Sequence, residues 1–386
     1  MKRFIVPAAV AASLVFCTVL GVLAPSASAG TIAFTPANPM NKARAFFTAN
    51  DLPDENILVA GGYNGNCQCA PNFADSEIYN WQTGLWTVTA PMNSARAAAV
   101  SVGLPGGRVL VIGGFDENFN VLNSAEIYDP GTATWTLTAP MISARAEDFT
   151  AATLNNGTIL VAGGTASDGV TSLSAAEIYD PTSNTWTATG SMNVGRAEFN
   201  SVELPNGRIL AVGGVTTNVK AISSAEIYDP ATGIWTLTGS MSEARNDLQL
   251  ARLADGRVLV AGGGTGSEEK HRRRSAEIFD QKTGRWTATG RMTEPRSEAE
   301  EGVVKLPDGN VLVTGGLTAP HTAIASSDLY DAQTGKWSEG GYMSEPRSAH
   351  DAVVELSNRN RVIVMGGLDQ GAAATASADI GQFTDQ

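Results

Sequence analysis

Seven arginines recur at one place in a repeating pattern along this 386-residue chain: Arg44, Arg96, Arg145, Arg196, Arg245, Arg296 and Arg347. A guanidinium is a planar fork of donors, so a ring of them has the chemistry to clamp a carboxylate with two parallel hydrogen bonds. Seven acids keep step with them, at Glu77, Glu126, Glu177, Glu226, Glu277, Asp328 and Asp379. That register favours the plainer reading, a structural ion pair repeated seven times. The position two residues past each arginine breaks the pattern and reads Phe46, Ala98, Glu147, Glu198, Asp247, Glu298 and Ala349. Four successive repeats therefore place a carboxylate at one height, and Asp148, Glu300, His350 and Asp351 follow close by in sequence. Clustered carboxylates suit a hard divalent cation such as calcium, or a polyhydroxyl ligand. Their mutual repulsion can also lift a pKa toward the range of acid–base work. The competing reading is that they only neutralise the arginines. The candidate ligand-binding residues are thus Glu147, Glu198, Asp247 and Glu298 with Arg145, Arg196, Arg245 and Arg296.

The elements that must position these side chains are read from a second recurring signal, a double glycine. It falls at Gly61-Gly62, Gly113-Gly114, Gly163-Gly164, Gly213-Gly214, Gly262-Gly263, Gly315-Gly316 and Gly366-Gly367, about 51 residues apart. A period of roughly 40 to 50 residues made of short strands is that of a β-propeller blade. In the third repeat the first strand-like piece starts at Arg145 and runs to Leu154, and Asn155-Asn156-Gly157 reads as a hairpin turn. Residues 158–162, 176–179 and 185–189 are the other three strands. The tryptophan of the fourth strand occurs six times, at Trp86, Trp135, Trp186, Trp235, Trp286 and Trp337, against seven glycine pairs. The missing outer strand is expected at the other end of the chain, at residues 31–35, closing the last blade and leaving no open sheet edge. The expected fold class is therefore all-β, a seven-bladed propeller of four antiparallel strands per blade. Antiparallel order puts the short turns on one face and the irregular loops 63–75, 115–123, 165–174, 265–275 and 317–326 on the other. Variable loops on a rigid scaffold are the usual seat of recognition, so the loop-rich face is the expected functional face.

With the glycine pairs, Ala125-Glu126-Ile127-Tyr128-Asp129-Pro130, Trp135, Met141 and Arg145 in view, the chain resembles the kelch-repeat proteins of the galactose-oxidase-like propeller group, in a secreted bacterial form. The resemblance spans the whole chain past residue 29 and is specific for fold. It leaves function open, because such propellers include interaction modules as well as secreted enzymes. In the copper radical oxidases of that group a cross-linked Cys and Tyr occupy positions that correspond here to Phe46 and Ala98. The Tyr-His ligand pair implied by the family also has no counterpart, since none of His271, His321 and His350 follows a tyrosine. That chemistry is rejected. The secreted sialic-acid mutarotases of the group offer a closer enzymatic comparison, in which Arg196 and Glu198 would supply the cation and the acid–base group, although this chain is more regular than they are.

The N-terminus reads as a secretory leader. Lys2 and Arg3 precede an apolar run over residues 8–23, and Ala27-Ser28-Ala29 supplies a small-residue cleavage site. The expected domains are a signal peptide at 1–29 and one propeller at 30–386. No later segment is long and apolar enough to span a membrane. Without the leader, 24 basic residues face 39 acidic ones, a net charge near −15 that repels phosphate backbones and argues against nucleic acid as a partner. Cys67 and Cys69 read as an exposed loop pair, and residues 268–274 form the one dense charge run. No phosphate loop, serine triad or zinc signature is found. The expectation is an exported, monomeric, non-catalytic module that binds an extracellular glycan or protein on its loop-rich face. No cofactor is expected beyond a divalent cation. The alternative is a carbohydrate epimerase or mutarotase that uses the carboxylates and arginines at the channel mouth.

Overall fold

A computed structural model describes residues 31–65, 71–265, 272–319, 322–355 and 360–383. The expectations placed on the leader, on Cys67 and Cys69, on His271 and His321 and on residues 268–271 lie outside these residues. The described chain is all-β, with no helix long and apolar enough to cross a membrane. It forms seven sheets, each built on four antiparallel strands, hydrogen-bonded in chain order in the first six, as in Thr150–Thr153, Ile159–Ala162, Ala176–Asp180 and Thr185–Thr189. The first strands, from Thr48–Asp51 through Asp351–Val354, each neighbour the first strand of the next blade. The seventh meets the first, so the ring closes around a channel. The second strands, such as Ile57–Ala60 and Ile159–Ala162, are buried at every residue in six blades, and in the seventh at every residue after Arg361. Both of their faces are covered by neighbouring blades, which is why they read as continuous apolar runs.

The N-terminal strand closes the last blade as expected, but over Ala33–Ala37, two residues later than the sequence suggested. Ile32 explains the offset. Its N–H donates to the Gly340 carbonyl and its side chain is buried beside the sixth blade, so the first residues bridge two blades before the pairing begins. Pro36 sits opposite Asp379 on this outermost strand, where a missing donor is tolerated.

Two further expectations are corrected. The arginines do not begin the innermost strands. Each lies in an arch ahead of its strand, and the strand after Arg145 starts only at Thr150. Residues 317–326 are not an irregular loop either, because most of them extend a long hairpin, Thr322–Asp331 paired with Lys336–Arg347.

Blade-to-blade packing is built from repeated parts. A tyrosine or phenylalanine on the third strand packs against the tryptophan of the fourth, with ring centroids 4.7 Å apart for Tyr179 and Trp186. The indole Nε1 of Trp186 donates to the Ala139 carbonyl of the preceding blade at 2.8 Å, and Trp286 repeats the contact on Gly239. Both glycines of each pair have positive φ. A Cβ on Gly61 would stand 2.4 Å from the Arg96 carbonyl oxygen of the next blade. That close approach, sealed by Gly62 N–H donating to the same oxygen at 2.7 Å, is what requires glycine there.

Candidate functional site

The arches between blades position both sets of candidate residues. Each arginine is fully buried. Arg145 Nη1 donates to the carbonyls of Gly163 and Ala175, and Nη2 binds Glu177 at 2.7 Å. Arg196 with Glu226 at 2.7 Å, Arg245 with Glu277 at 3.3 Å and Arg296 with Asp328 at 2.6 Å repeat the arrangement. The glutamates also cap the arch: Glu226 accepts from the backbone N–H groups of Asn193 and Val194. Burial alone would raise the Glu226 carboxyl, but the bonds from Asn193 and Arg196 hold it below its ordinary value. The clamp expected of Arg145, Arg196, Arg245 and Arg296 is therefore corrected. Their Nη groups are committed to ion pairs within the repeat, with no face turned to solvent.

The residues two places further on are treated differently. All seven adopt left-handed backbone conformations, with φ between 47° and 60°. Five of the seven neighbouring pairs are also joined by main-chain hydrogen bonds. Phe46 N–H donates to Ala349, Ala98 to Phe46, Glu147 to Ala98, Asp247 to Glu198 and Ala349 to Glu298. These positions therefore form the rim of the channel. They lie on the loop-rich face: Glu147 accepts from Thr165 at 2.7 Å, and the Phe46 ring lies 5.8 Å from that of Tyr63, both partners being the first residue after a glycine pair.

The structure brings Glu147, Glu198, Asp247 and Glu298 to this one rim, with different surroundings. Glu198 is only 4% exposed and accepts from Asn246 Nδ2 at 2.8 Å, while the same amide donates to Asp247 at 2.8 Å. Glu147, Asp247 and Glu298 are half-buried. Tyr63 stands close enough to Glu298 to feel its charge. Burial, with a contribution from that carboxylate, pushes the phenol up to about 12.

Just inside the rim, carboxylate oxygens of Asp148, Asp247 and Glu300 lie within 4.8 Å of one another. Burial first, then Asp247 and Asp148, drives the Glu300 carboxyl well above its ordinary value. Glu300 also lines a cavity of about 410 Å³ whose lining includes Asn50, Asp51, Glu301, Lys305 and Asp351. Burial, and then the charge of Glu301, raises the Asp351 carboxyl in the same way.

Sequence reasoning noted Asp148 and Glu300 only as neighbours of the rim acids, and passed over Glu301. The signal was available in the spacing. From arginine to the first glycine of the pair is 17 residues in four blades, 18 in the third and 19 in the sixth and seventh. The extra residue of the third blade falls at Asp148, and those of the sixth fall around Glu300 and Glu301, ahead of strands that start late at Thr150 and Val303.

His350 is the third departure. It is 2% exposed, and its Nε2 lies 2.8 Å from Thr314 Oγ1. That hydroxyl donates to the Gly302 carbonyl, so Nε2 must carry the proton and Nδ1 is left as an acceptor without a partner. Burial, then the charges of Arg347 and Arg296, pulls this imidazole down to about 3. The described end of the basic run is tied down onto the face. Arg272 donates to Ser297, Arg273 pairs with Glu243 at 2.7 Å, and Arg274 Nε donates to Met292.

Among known proteins, the family model described as the KLHDC2/KLHL20/DRC7 Kelch-repeats domain matches residues 46–263. No curated protein matches the chain significantly. Among solved structures, the chain is similar to a fungal alcohol oxidase of the AA5 family, solved in complex with copper, with TM-score 0.75 and 19% identity over 91% of this chain and 76% of the other. It is also similar to YjhT, with TM-score 0.61 and 16% identity over 79% of this chain and 99% of that one. At such identities the likeness is one of fold. Among the described residues there is no fit to a copper centre: the first two blades place Phe46 and Ala98 at the rim, and His350 is packed inside the wall between blades.

Proposed function

Since the chain belongs to the kelch-repeat family, whose propellers typically engage protein partners, we propose that it is an exported, non-catalytic binding module whose loop-rich face takes an extracellular protein or glycan. One observation carries the reading. Three consecutive loop tips on that face expose apolar side chains, Phe119, Val170 and Val219. Phe119 and Val219 hold φ of 62° and 55° to do so. A β-branched residue in the left-handed region is a strained choice that solvation alone does not call for, and strain of this kind concentrates at functional positions.

The loops are also braced against one another, which limits the entropy lost on binding. Asn72 Nδ2 donates to the carbonyls of Phe115 and Asp116, Ser172 N–H to Thr217 Oγ1, and Ala374 N–H to Asn64. The mutarotase alternative loses its carboxylate clamp with the arginines buried in ion pairs. The test compares the protein with the triple variant Phe119→Ser, Val170→Ser, Val219→Ser on a glycan array and against secreted proteins of the source cells. Asp54→Asn with Asp255→Asn, in the turns of the opposite face, is the control. Binding lost only in the triple variant supports the proposal. Binding that survives it, or that fails only in the control, removes the loop face from consideration.

A further inference from the structure

We propose that Asp148, Asp247 and Glu300 form a site for one hard divalent cation of the calcium type, set in the channel just below the rim. This site goes beyond the binding role proposed for the loop face and does not rest on it.

The three carboxylates come from the third, fifth and sixth blades, so they meet across the channel instead of lining up along one element. Their oxygens lie within 4.8 Å of one another. Calcium binds oxygen at about 2.3–2.6 Å, so two ligands of one ion stand at most about 4.6–5.2 Å apart, and the observed group fits that span. A second observation is independent of the grouping. Glu300 Oε1 is shut off from solvent and accepts no hydrogen bond from any other residue. Among the described residues no lysine, arginine or histidine pairs with this side chain. Shielded carboxylate oxygens ordinarily find a donor or a metal. Here the oxygen that lacks a partner belongs to the same carboxylate that groups with the other two acids.

Oxygen ligands alone, with no thiolate or imidazole in the group, select calcium, magnesium or manganese over zinc or copper. Calcium is favoured within that class because it accepts six to eight ligands in loose geometry. The protein fixes three of these, and water from the 410 Å³ cavity that Glu300 also lines completes the shell.

The experiment is calorimetric titration of the chelator-stripped protein with calcium chloride, with magnesium and manganese as parallel arms and thermal melting as the second readout. One calcium per chain is expected, with a rise in Tm. Glu300→Gln and Asp148→Asn should each weaken binding at least tenfold, while their Tm in EDTA is no lower than that of the parent. Asp54→Asn, on the opposite face, should bind as the parent does. Two results overturn the proposal: no heat and no Tm change with any of the three cations at millimolar concentration, or binding that persists unchanged in both Glu300→Gln and Asp148→Asn.

Discussion

His350 occupies a slot that other blades fill with apolar side chains, and this makes its contribution to stability measurable by substitution. Phe47, Phe149, Phe199 and Leu248 each pack over the first glycine of the preceding blade, as His350 does over Gly315. Thr314 stands where the preceding blades carry Met365, Ile112, Ala162 and Val212. The double variant His350→Phe, Thr314→Ala therefore reproduces the Phe199–Ala162 pairing, and the Gly302 carbonyl keeps its bond from the residue 314 N–H.

The sign follows from proton binding. The imidazole is held neutral in the folded chain, down to about pH 3, whereas in the unfolded chain it takes up a proton near pH 6.5. Its contribution is thus fully present above pH 6.5 and is lost as pH falls through 6.5 toward 3. One unit below 6.5 the loss is about 1.4 kcal/mol, and two units below it is about 2.7 kcal/mol. The channel acids act in the opposite sense. Glu300 and Asp351, raised mainly by burial, lose stability as pH rises from the ordinary carboxylate range through their raised values. They are common to both proteins and cancel in the difference. Urea unfolding of parent and variant at pH 7.5, 6.5, 5.5 and 4.5 should show a constant gap at the upper end. That gap should shift in favour of the variant by about 1.4 kcal/mol at pH 5.5. A gap that stays level down to pH 4.5 would refute the reasoning, because it would mean that His350 is protonated as readily inside the fold as outside.

Three other outcomes are expected. Arg145→Met should cost about 3–5 kcal/mol by stranding Glu177 in the interior, and adding Glu177→Gln should recover a large part of it, both read from denaturant midpoints. Gly163→Ala should destabilise by at least about 2 kcal/mol, since its Cβ would stand 2.5 Å from the Phe199 ring at a φ of 77°, and Gly239→Ala tests the same rule at the outer contact with Gly284. Asp351→Asn should raise the melting temperature at pH 7.5 and leave it nearly unchanged at pH 4, because burial first, and then the charge of Glu301, penalises only the ionised form of this buried carboxyl.

What was legible in the sequence divides along a physical line. The blade count, the strand order and the closing N-terminal strand follow from patterns repeated seven times, each copy confirming the others. The arginine–acid register was legible too, and its structural reading is the one the packing adopts. The start of the innermost strands was missed because a left-handed residue between arginine and strand has no signature when glycine or asparagine does not fill it. Phe46, Ala98 and Glu147 are all unusual occupants of that conformation. The three-acid group was missed for another reason. Asp148, Asp247 and Glu300 are distant in sequence, and only the changed spacing in the third and sixth blades hints that two of them are pushed inward.

The rim shows why chemistry can vary here without cost to the fold. At the arginine position the side chain itself joins blade to arch, so its identity is fixed in every repeat. Two residues later, at five of the seven junctions, the joining is done by the main chain, through N–H to carbonyl bonds from one rim residue to the next. Side chains at that position make different local contacts from blade to blade, as Phe46 on Tyr63 and Glu147 with Thr165 do, and none is the repeated joint between blade and arch. This accounts for a sequence that runs Phe, Ala, Glu, Glu, Asp, Glu, Ala around a ring whose backbone barely changes. It also separates two kinds of acid. Those on the third strands hold the arches and should tolerate no exchange. The rim acids should exchange with little loss of stability, and their removal should be felt in ligand binding. Asp247→Ala against Glu277→Ala is the direct comparison, since both belong to the fifth blade. The second should lower stability by roughly 3 kcal/mol, because the buried Arg245 then keeps only the more exposed Glu243 at 3.4 Å as counter-charge, while the first stays within about 1 kcal/mol of the parent. Equal losses from the two would mean that the rim is held by its side chains after all.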